Sequence, residues 1–114
     1  MEEKYHAAFI APIGADKFLG KSGWEIYSQE RLPEELILCL IQLLNLELSE
    51  SCLGVEYYTG HHMKMSVFFD DNNTIEHIYC QAPSASLITL KDSYKHNKIL
   101  SKAELFIPSE LHAQ

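Results

Sequence analysis

The segment whose spacing is most suggestive of chemistry is residues 15–22, Ala-Asp-Lys-Phe-Leu-Gly-Lys-Ser. It fits a relaxed phosphate-binding loop in which alanine replaces the first glycine, and a predicted strand precedes it. Such a loop needs a helix that begins at its Gly-Lys-Ser end, because the helix N-terminus meets the phosphate. Here Gly23 follows at once and the next predicted helix begins only at Pro33. The favoured interpretation is therefore a surface loop, and no cofactor is expected.

Two further groups of residues invite a metal interpretation. His61 and His62 fall in a predicted hairpin loop, and no third ligand lies at a recognisable spacing. Asp70 opens the run Asp-Asp-Asn-Asn, which resembles the start of a calcium loop, but such a loop needs glycine at its sixth position and glutamate at its twelfth. Those positions hold Ile75 and Gln81. The sequence therefore predicts a turn at Asp70 and no metal at either place.

Nucleophilic catalysis finds no support in the sequence. No Gly-X-Ser-X-Gly elbow occurs. The cysteines, Cys39, Cys52 and Cys80, have no histidine at a spacing typical of a cysteine enzyme. We therefore predict that the chain is not an enzyme.

The cysteine count and the N-terminus both bear on the compartment. Three cysteines without a Cys-X-X-Cys pair do not form the even-numbered framework of a small secreted domain. The N-terminus is acidic, and no apolar signal segment follows it. No apolar run approaches the ~20 residues of a membrane span. These observations predict a cytoplasmic protein with reduced thiols, among which Cys39 is buried.

Length and charge limit the classes of function further. The 114 residues are typical of a single domain, residues 1–114. Lysine and arginine total 9 against 16 aspartates and glutamates, which gives a net charge of -7. A negative chain is a poor ligand for nucleic acid or for an anionic membrane, since both attract cationic residues. The excess of acid fits either solubility alone or a basic protein partner.

The clearest predicted element is a helix over residues 33–48. Pro33 suits the first helical position, and Glu34 and Glu35 follow where the helix dipole favours negative charge. The apolar residues of this segment cover more than one stripe, which indicates a helix buried on more than one side. It is predicted to be either the central core helix or part of a dimer interface.

Residues 52–59, 62–70 and 74–81 are predicted to be three strands joined by three-residue turns. With loops of that length, the odd-numbered residues of all three strands point to one face of the sheet and the even-numbered residues to the other. The odd-numbered face is the more apolar and is predicted to point to the core. It comprises Val55, Tyr57, Met63, Met65, Val67, Phe69, Ile75, His77 and Tyr79.

The remaining predicted elements are a first strand at residues 5–11, a loop at 13–23, and a short strand or irregular segment at 24–27. A second helix at residues 85–96 and a last strand at 103–107 complete the chain. Runs of neighbouring strands beside helices are typical of an α+β fold rather than of a parallel α/β fold. We predict an antiparallel β-meander packed with two helices as a single pair of layers.

The even-numbered face of the meander combines acidic residues with large apolar ones. Aromatic anchors surrounded by polar groups are typical of protein–protein hot spots. If this face is exposed, it forms one acidic surface that binds a basic protein; if another element or a second copy of the chain covers it, it does not. The predicted partner-binding residues are Glu56, Tyr58, Phe68, Asp70 and Glu76.

With these features the chain resembles the small acidic immunity proteins that bacteria make against their own polymorphic or contact-dependent toxins. The resemblance rests on Gly-Trp-Glu-Ile-Tyr at residues 23–27, on the Pro33-Glu34-Glu35-Leu36 helix start, on the meander and on the closing Leu-Phe-Ile-Pro at 105–108. It implies a protein that binds a cognate toxin enzyme and occludes its active site.

Two other functions remain open. A secretion chaperone that wraps an effector protein is similar in size, acidity and element order, and would use the helix at residues 33–48 to form a homodimer. Such chaperones usually begin with a helix, whereas residues 5–11 are predicted to be a strand. A small-ligand-binding or catalytic domain would instead hold a pocket within the sheet. That pocket would be lined by Tyr57, Met65, Phe69, His77 and Tyr79.

Overall fold

The computed structural model describes residues 5–108, and in these the strands and helices form an α+β fold, as predicted. The elements are β1 (Tyr5–Pro12), β2 (Asp16–Gly20), β3 (Gly23–Tyr27), α1 (Glu34–Leu44), β4 (Glu47–Cys52), β5 (Val55–Thr59), β6 (Lys64–Phe69), β7 (Ile75–Pro83), α2 (Ser84–His96), a 3₁₀ helix (Leu100–Lys102) and β8 (Ala103–Phe106).

Six of the strands form one antiparallel sheet in the order β4-β5-β6-β7-β1-β8, so the predicted meander lies at its centre. The first strand of the chain is inserted between β7 and β8. Strands β2 and β3 pair only with each other and form a separate hairpin. Within residues 5–108 no helix is long and apolar enough to cross a membrane.

One face of the sheet, the helical face, packs against α1 and α2. Leu36 and Leu40 of α1 and Leu90 of α2 are fully buried in one cluster with sheet side chains. Burial of such side chains stabilises the fold by roughly 1.5–3 kcal/mol each. The helical face comprises Ala8, Ile10, Tyr58, Met65, Val67, Ile78 and Cys80.

The opposite face of the sheet carries mostly rings and is called the aromatic face below. Because side chains alternate along a strand, the neighbours of the core residues point to this side. The cross-strand pairs Phe9–Phe106 and Phe9–Tyr79 place three rings side by side. The aromatic face comprises Phe9, Phe68, His77, Tyr79 and Phe106.

Helix α1 is shorter than predicted. It ends at Leu44 because Asn45 adopts a left-handed conformation with φ 53°, a common way for a helix to stop. Leu46 is then buried in the core, whereas Leu48 lies exposed on β4, a strand that the sequence did not predict. Part of the apolar excess that suggested a dimer interface therefore does not belong to the helix.

The loop between β5 and β6 differs from prediction by one residue. Thr59 pairs with Lys64, and the Gly60 N–H donates to the Met63 carbonyl at 2.8 Å, so the loop holds four residues rather than three. One additional residue inverts the faces of one strand relative to the other. Tyr58 consequently lies beside Met65 on the helical face and is 8% exposed, which corrects its predicted place on an exposed face.

The turn between β6 and β7 is confirmed, but a bulge follows it. The Asp70 N–H donates to the Thr74 carbonyl at 2.9 Å, as a three-residue turn requires. Phe69 pairs with Ile75, yet Phe68 pairs with His77, which leaves Glu76 as the extra residue of a β-bulge. Beyond the bulge the even-numbered residues of β7 point to the helices. The prediction that His77 and Tyr79 face the core is therefore wrong.

The segment with the phosphate-loop pattern forms most of the β2–β3 hairpin. Gly20 pairs with Gly23 across the two-residue turn Lys21-Ser22, and Gly23 has φ 120°, which favours glycine. A strand, and not a helix, thus follows the Gly-Lys-Ser triplet. Residues 13–23, predicted to be a loop, contain all of β2.

The cysteines lie in three different environments. Cys80 is buried beneath the helices, Cys39 on α1 is half-buried rather than buried as predicted, and Cys52 on β4 is exposed. Strands β5 and β6 separate Cys52 from Cys80. Three steps of ~4.8 Å place the two strands roughly 14 Å apart, beyond the reach of a disulfide.

We expect the thiols of the native protein to react with iodoacetamide in the order Cys52, Cys39, Cys80. Burial raises the pKa of Cys80 to about 12, so both accessibility and thiolate content are lowest there. Intact-mass spectrometry over time measures the order. In denaturant without reductant all three should be modified, and Cys52→Ser should remove the fast phase. A fast reaction of Cys80 in the folded protein would contradict its placement.

Candidate functional site

A cleft of about 620 Å³ lies between the β2–β3 hairpin and the aromatic face of the sheet. Phe9, Phe68, His77 and Tyr79 line it from the sheet, and Trp24 and Ile26 line it from the hairpin. Glu25 of the hairpin and Glu76 of the bulge also border it. The cleft is open to solvent, and most of its lining is apolar.

Aromatic contacts hold the hairpin over one side of the sheet. The ring centroids of Phe9 lie 5.1 Å from Tyr79 and 6.1 Å from Phe106. Trp24 of β3 meets Phe106 edge to face at 4.9 Å. Pairs of this geometry contribute roughly 0.5–1.5 kcal/mol beyond their buried area. The hairpin is thus fixed at β8 and leaves the rings over β6 and β7 less covered.

The Glu104 carboxylate fixes the base of the hairpin. Its Oε1 accepts hydrogen bonds from the Gly14 N–H at 3.1 Å, the Ala15 N–H at 3.2 Å and the Lys17 ammonium at 2.9 Å. The same ammonium lies 5.6 Å from the Phe106 ring centroid, a cation–π distance. A single side chain of β8 therefore joins the loop after β1, strand β2 and the main sheet.

The environment of His77 favours the neutral form of its ring. Its ring stacks on Phe68 with centroids 4.7 Å apart and planes 15° from parallel. Burial lowers the pKa of His77, and the charge of Glu76 opposes part of that shift. A neutral ring beside the bulge means that this part of the cleft carries the negative charge of Glu76 without a positive charge from His77.

The structure brings together two of the five predicted partner-binding residues, Phe68 and Glu76, which both line the cleft. The prediction that all five share one face is wrong, because the four-residue loop and the bulge shift the register. Glu56 and Tyr58 lie on the side of α1, where the Tyr58 hydroxyl donates to Glu56 at 3.0 Å. Burial and this carboxylate raise the pKa of Tyr58 to about 12.

Asp70 organises its own turn. Its carboxylate accepts from the Thr74 hydroxyl at 2.6 Å and from the Asn72 and Thr74 N–H groups at 2.9 Å. Arg31 pairs with it at 2.7 Å. The Thr74 hydroxyl, followed by Arg31, holds the pKa of Asp70 well below its usual range. Whether any of the predicted residues binds a partner stays a prediction.

The other residues that the sequence suggested for metal or ligand binding do not come together as predicted in the described part of the chain. The rings of His61 and His62 contact each other with centroids 4.1 Å apart. Across residues 5–108 no group of three or more His, Cys, Asp or Glu side chains could hold a metal ion. Of the residues predicted to line a pocket, Met65 is buried on the helical face, whereas His77 and Tyr79 line the cleft.

Sequence reasoning missed the hairpin wall of the cleft and the part played by Phe9. The signal for the hairpin was present: Gly20 and Gly23 flank a two-residue turn, which is typical of a tight hairpin. Across the two strands, Lys17 then pairs with Ile26, and Leu19 pairs with Trp24. The same residues also fit the relaxed phosphate-loop pattern, which predicts a loop rather than a hairpin.

Comparison with protein-family models, with curated proteins and with solved structures finds no significant match to this chain. What supports a function is therefore the geometry and charge of the chain itself.

Glu104→Ala should lower the free energy of unfolding by about 1–3 kcal/mol, because it leaves the part-buried Ala15 N–H group without its acceptor and the Lys17 ammonium without its partner. It should also release Trp24, the sole tryptophan, and shift its fluorescence to longer wavelength. Urea unfolding and emission spectra measure both. The matched control is Glu35→Ala, which removes an exposed pair with Lys102 and should cost less than ~1 kcal/mol. Unchanged stability and emission in Glu104→Ala would contradict the clamp.

The free energy of unfolding should fall as pH drops below ~6.5, the ordinary histidine pKa. The pKa of His77 is lowered in the folded state, so the unfolded chain binds this proton first and stability is lost as pH falls from 6.5 toward the folded pKa. His77→Phe keeps a ring against Phe68 and should remove this loss of stability at low pH. Urea titrations at several pH values measure it. His96→Phe, at an exposed position of α2, is the control and should keep the wild-type dependence. Equal pH dependence in His77→Phe and wild type would contradict the prediction.

Proposed function

We propose that this chain is a small acidic protein-binding module whose cleft captures a segment of a basic partner protein. The observation that carries the proposal is the cleft itself, with rings on its floor, Trp24 and Ile26 on its wall, and Glu25 and Glu76 at its border. Aromatic anchors surrounded by polar groups are the composition of protein–protein hot spots. An open groove also suits an extended segment or a loop of a protein.

Charge supports a basic partner. The chain carries a net charge of -7, which attracts a positive protein over distance and speeds encounter. Among the described residues, the ion pairs Lys17–Glu104 and Arg31–Asp70 use carboxylates other than those of Glu25 and Glu76. Their charge is therefore available to set the orientation and choice of a bound segment.

The resemblance to bacterial immunity proteins gives this proposal its finer form. The partner would be a cognate toxin enzyme, and binding in the cleft would occlude the toxin's active site. Inhibition would take place in the cytoplasm, where Cys39, Cys52 and Cys80 would stay reduced. The chain's own role is binding rather than catalysis.

A small-ligand function is the second candidate, and the volume of the cleft favours it. About 620 Å³ falls within the roughly 300–1,000 Å³ of typical ligand pockets. Such pockets bury most of their ligand, whereas this cleft is open to solvent. A protein segment uses an open groove better, because the rest of the partner covers the open side.

Phe68→Ala should weaken partner binding by about 30-fold, or ~2 kcal/mol, if Phe68 is a central anchor. The wild-type protein and the variant, each immobilised, are exposed to a cytoplasmic extract that contains the neighbouring gene products. Mass spectrometry then identifies the retained protein, which should be basic and depleted on the variant. Expression of that protein alone should slow growth, and co-expression of the wild-type chain should restore it.

The matched control is Ile88→Ala, which removes an exposed apolar side chain of α2, away from the cleft. It should retain the partner and restore growth like the wild type. Circular dichroism checks that Phe68→Ala remains folded, and Trp24→Ala, from the other wall of the cleft, provides a second variant. Equal capture by both cleft variants and the wild type, or rescue of growth by both cleft variants, would refute the proposal.

A further inference from the structure

The aromatic face already binds one cation from within the chain. The Lys17 ammonium lies 5.6 Å from the Phe106 ring centroid and 2.9 Å from the Glu104 carboxylate. A ring supplies a negative face and the carboxylate supplies the opposite charge, so the cation is stabilised by both. This combination lies at the β8 end of the aromatic face.

The same two components recur at the β6–β7 end of that face. Phe68 stacks on His77, and Glu76 lies beside them at the bulge, where it acts on the charge of His77. All three residues line the cleft. The side chains of Phe68, Glu76 and His77 are half-buried, so a bound group would contact them while losing much of its own water.

His77 does not repel a cation at the β6–β7 end of the cleft. Because burial lowers the pKa of His77 below its ordinary value, the neutral ring is favoured and the charge on this part of the cleft is that of Glu76. The Lys17 and Arg31 side chains are paired with Glu104 and Asp70. A positive group from outside would thus meet the same two components, a ring and a carboxylate, that surround the Lys17 ammonium.

We propose that this end of the cleft is a guanidinium site, which receives an arginine side chain of the partner protein over Phe68 and against Glu76. This rests on the proposed protein-binding function and specifies the chemistry of the bound segment. Arginine fits better than lysine, because its planar guanidinium stacks on rings and forms two parallel hydrogen bonds to a carboxylate. A lysine ammonium is more strongly hydrated and binds as a point charge.

The test uses three blocked pentapeptides with glycine at every position except the centre, which holds arginine, citrulline or lysine. Citrulline keeps the planar shape of arginine and removes its charge. The peptides are titrated into the ¹⁵N-labelled full chain at pH 7.5 and ~0.15 M salt, and amide shifts give both affinity and location. The arginine peptide should move the amide signals of Phe68, Glu76 and His77. It should bind at least tenfold more tightly than the citrulline peptide and severalfold more tightly than the lysine peptide.

Two variants complete the test. Glu76→Gln keeps the size of the side chain and should weaken the arginine peptide about fivefold, with little effect on citrulline. Its matched control is Glu50→Gln on the exposed strand β4, which should change neither. The spectra themselves report whether each variant is folded. Equal binding of arginine and citrulline, an unaffected Glu76→Gln, or shifts that map outside the cleft would each overturn the guanidinium site.

The two proposals fail in different ways. If Phe68→Ala loses the captured partner while the arginine and citrulline peptides bind equally, the guanidinium site is refuted and the protein-binding function stands. If the arginine peptide discriminates as expected while the cleft variants retain the partner, the site is supported as a guanidinium site and the partner-capture proposal is refuted.

Discussion

A single extra residue in β7 determines what each face of the sheet presents. The bulge at Glu76 shifts the pairing so that His77 and Tyr79 point to the side of Phe9, while Ile78 and Cys80 point to the helices. Without it, the histidine ring and the tyrosine hydroxyl would be buried under α1 and α2 without water. An unsatisfied buried polar group costs roughly 1–3 kcal/mol in proteins, so the burial pattern itself holds this register.

The aromatic face depends on the hairpin as much as the helical face depends on the helices. A two-stranded hairpin is marginally stable by itself. Here the Glu104 carboxylate joins its base to the sheet, and Trp24 contacts Phe106. Both attachments lie on the β1–β8 side. The hairpin therefore covers the sheet unevenly, and an open cleft remains over Phe68 where a fully packed second layer would otherwise form.

The elements that sequence reasoning predicted well are those with strong local signals. Helix α2 and strands β1 and β8 each have a proline at or near one end, and each differs from its predicted range by one residue at one end only. The turn at Asp70 follows from its own side-chain hydrogen bonds. Such features depend on a few neighbouring residues, which the sequence displays directly.

What could not be predicted depends on contacts between distant segments. Gly60 begins the four-residue loop and lies against the end of α1, where an added Cβ would come within 2.8 Å of the Leu46 side chain. The bulge at Glu76 places Ile78 rather than Tyr79 under the helices, a choice that depends on α1 and α2 and not on the turn. Each shifts the parity of a strand, so the predicted acidic patch divides into three separate places. Phe68 and Glu76 remain together in the cleft, Glu56 and Tyr58 remain together beside α1, and Asp70 lies in its own turn.

The hairpin is also a continuous insertion between β1 and α1. Among the described residues, the buried cluster that joins the sheet to the helices draws on no residue from 16–27, and β2 and β3 form no ladder with the six-stranded sheet. Most substitutions in the hairpin therefore leave the folding core unchanged. Over evolutionary time the hairpin wall of the cleft can diversify in sequence and length, while the sheet that carries the other wall keeps its buried core. A lineage of such proteins can acquire new binding specificities without having to evolve a new scaffold.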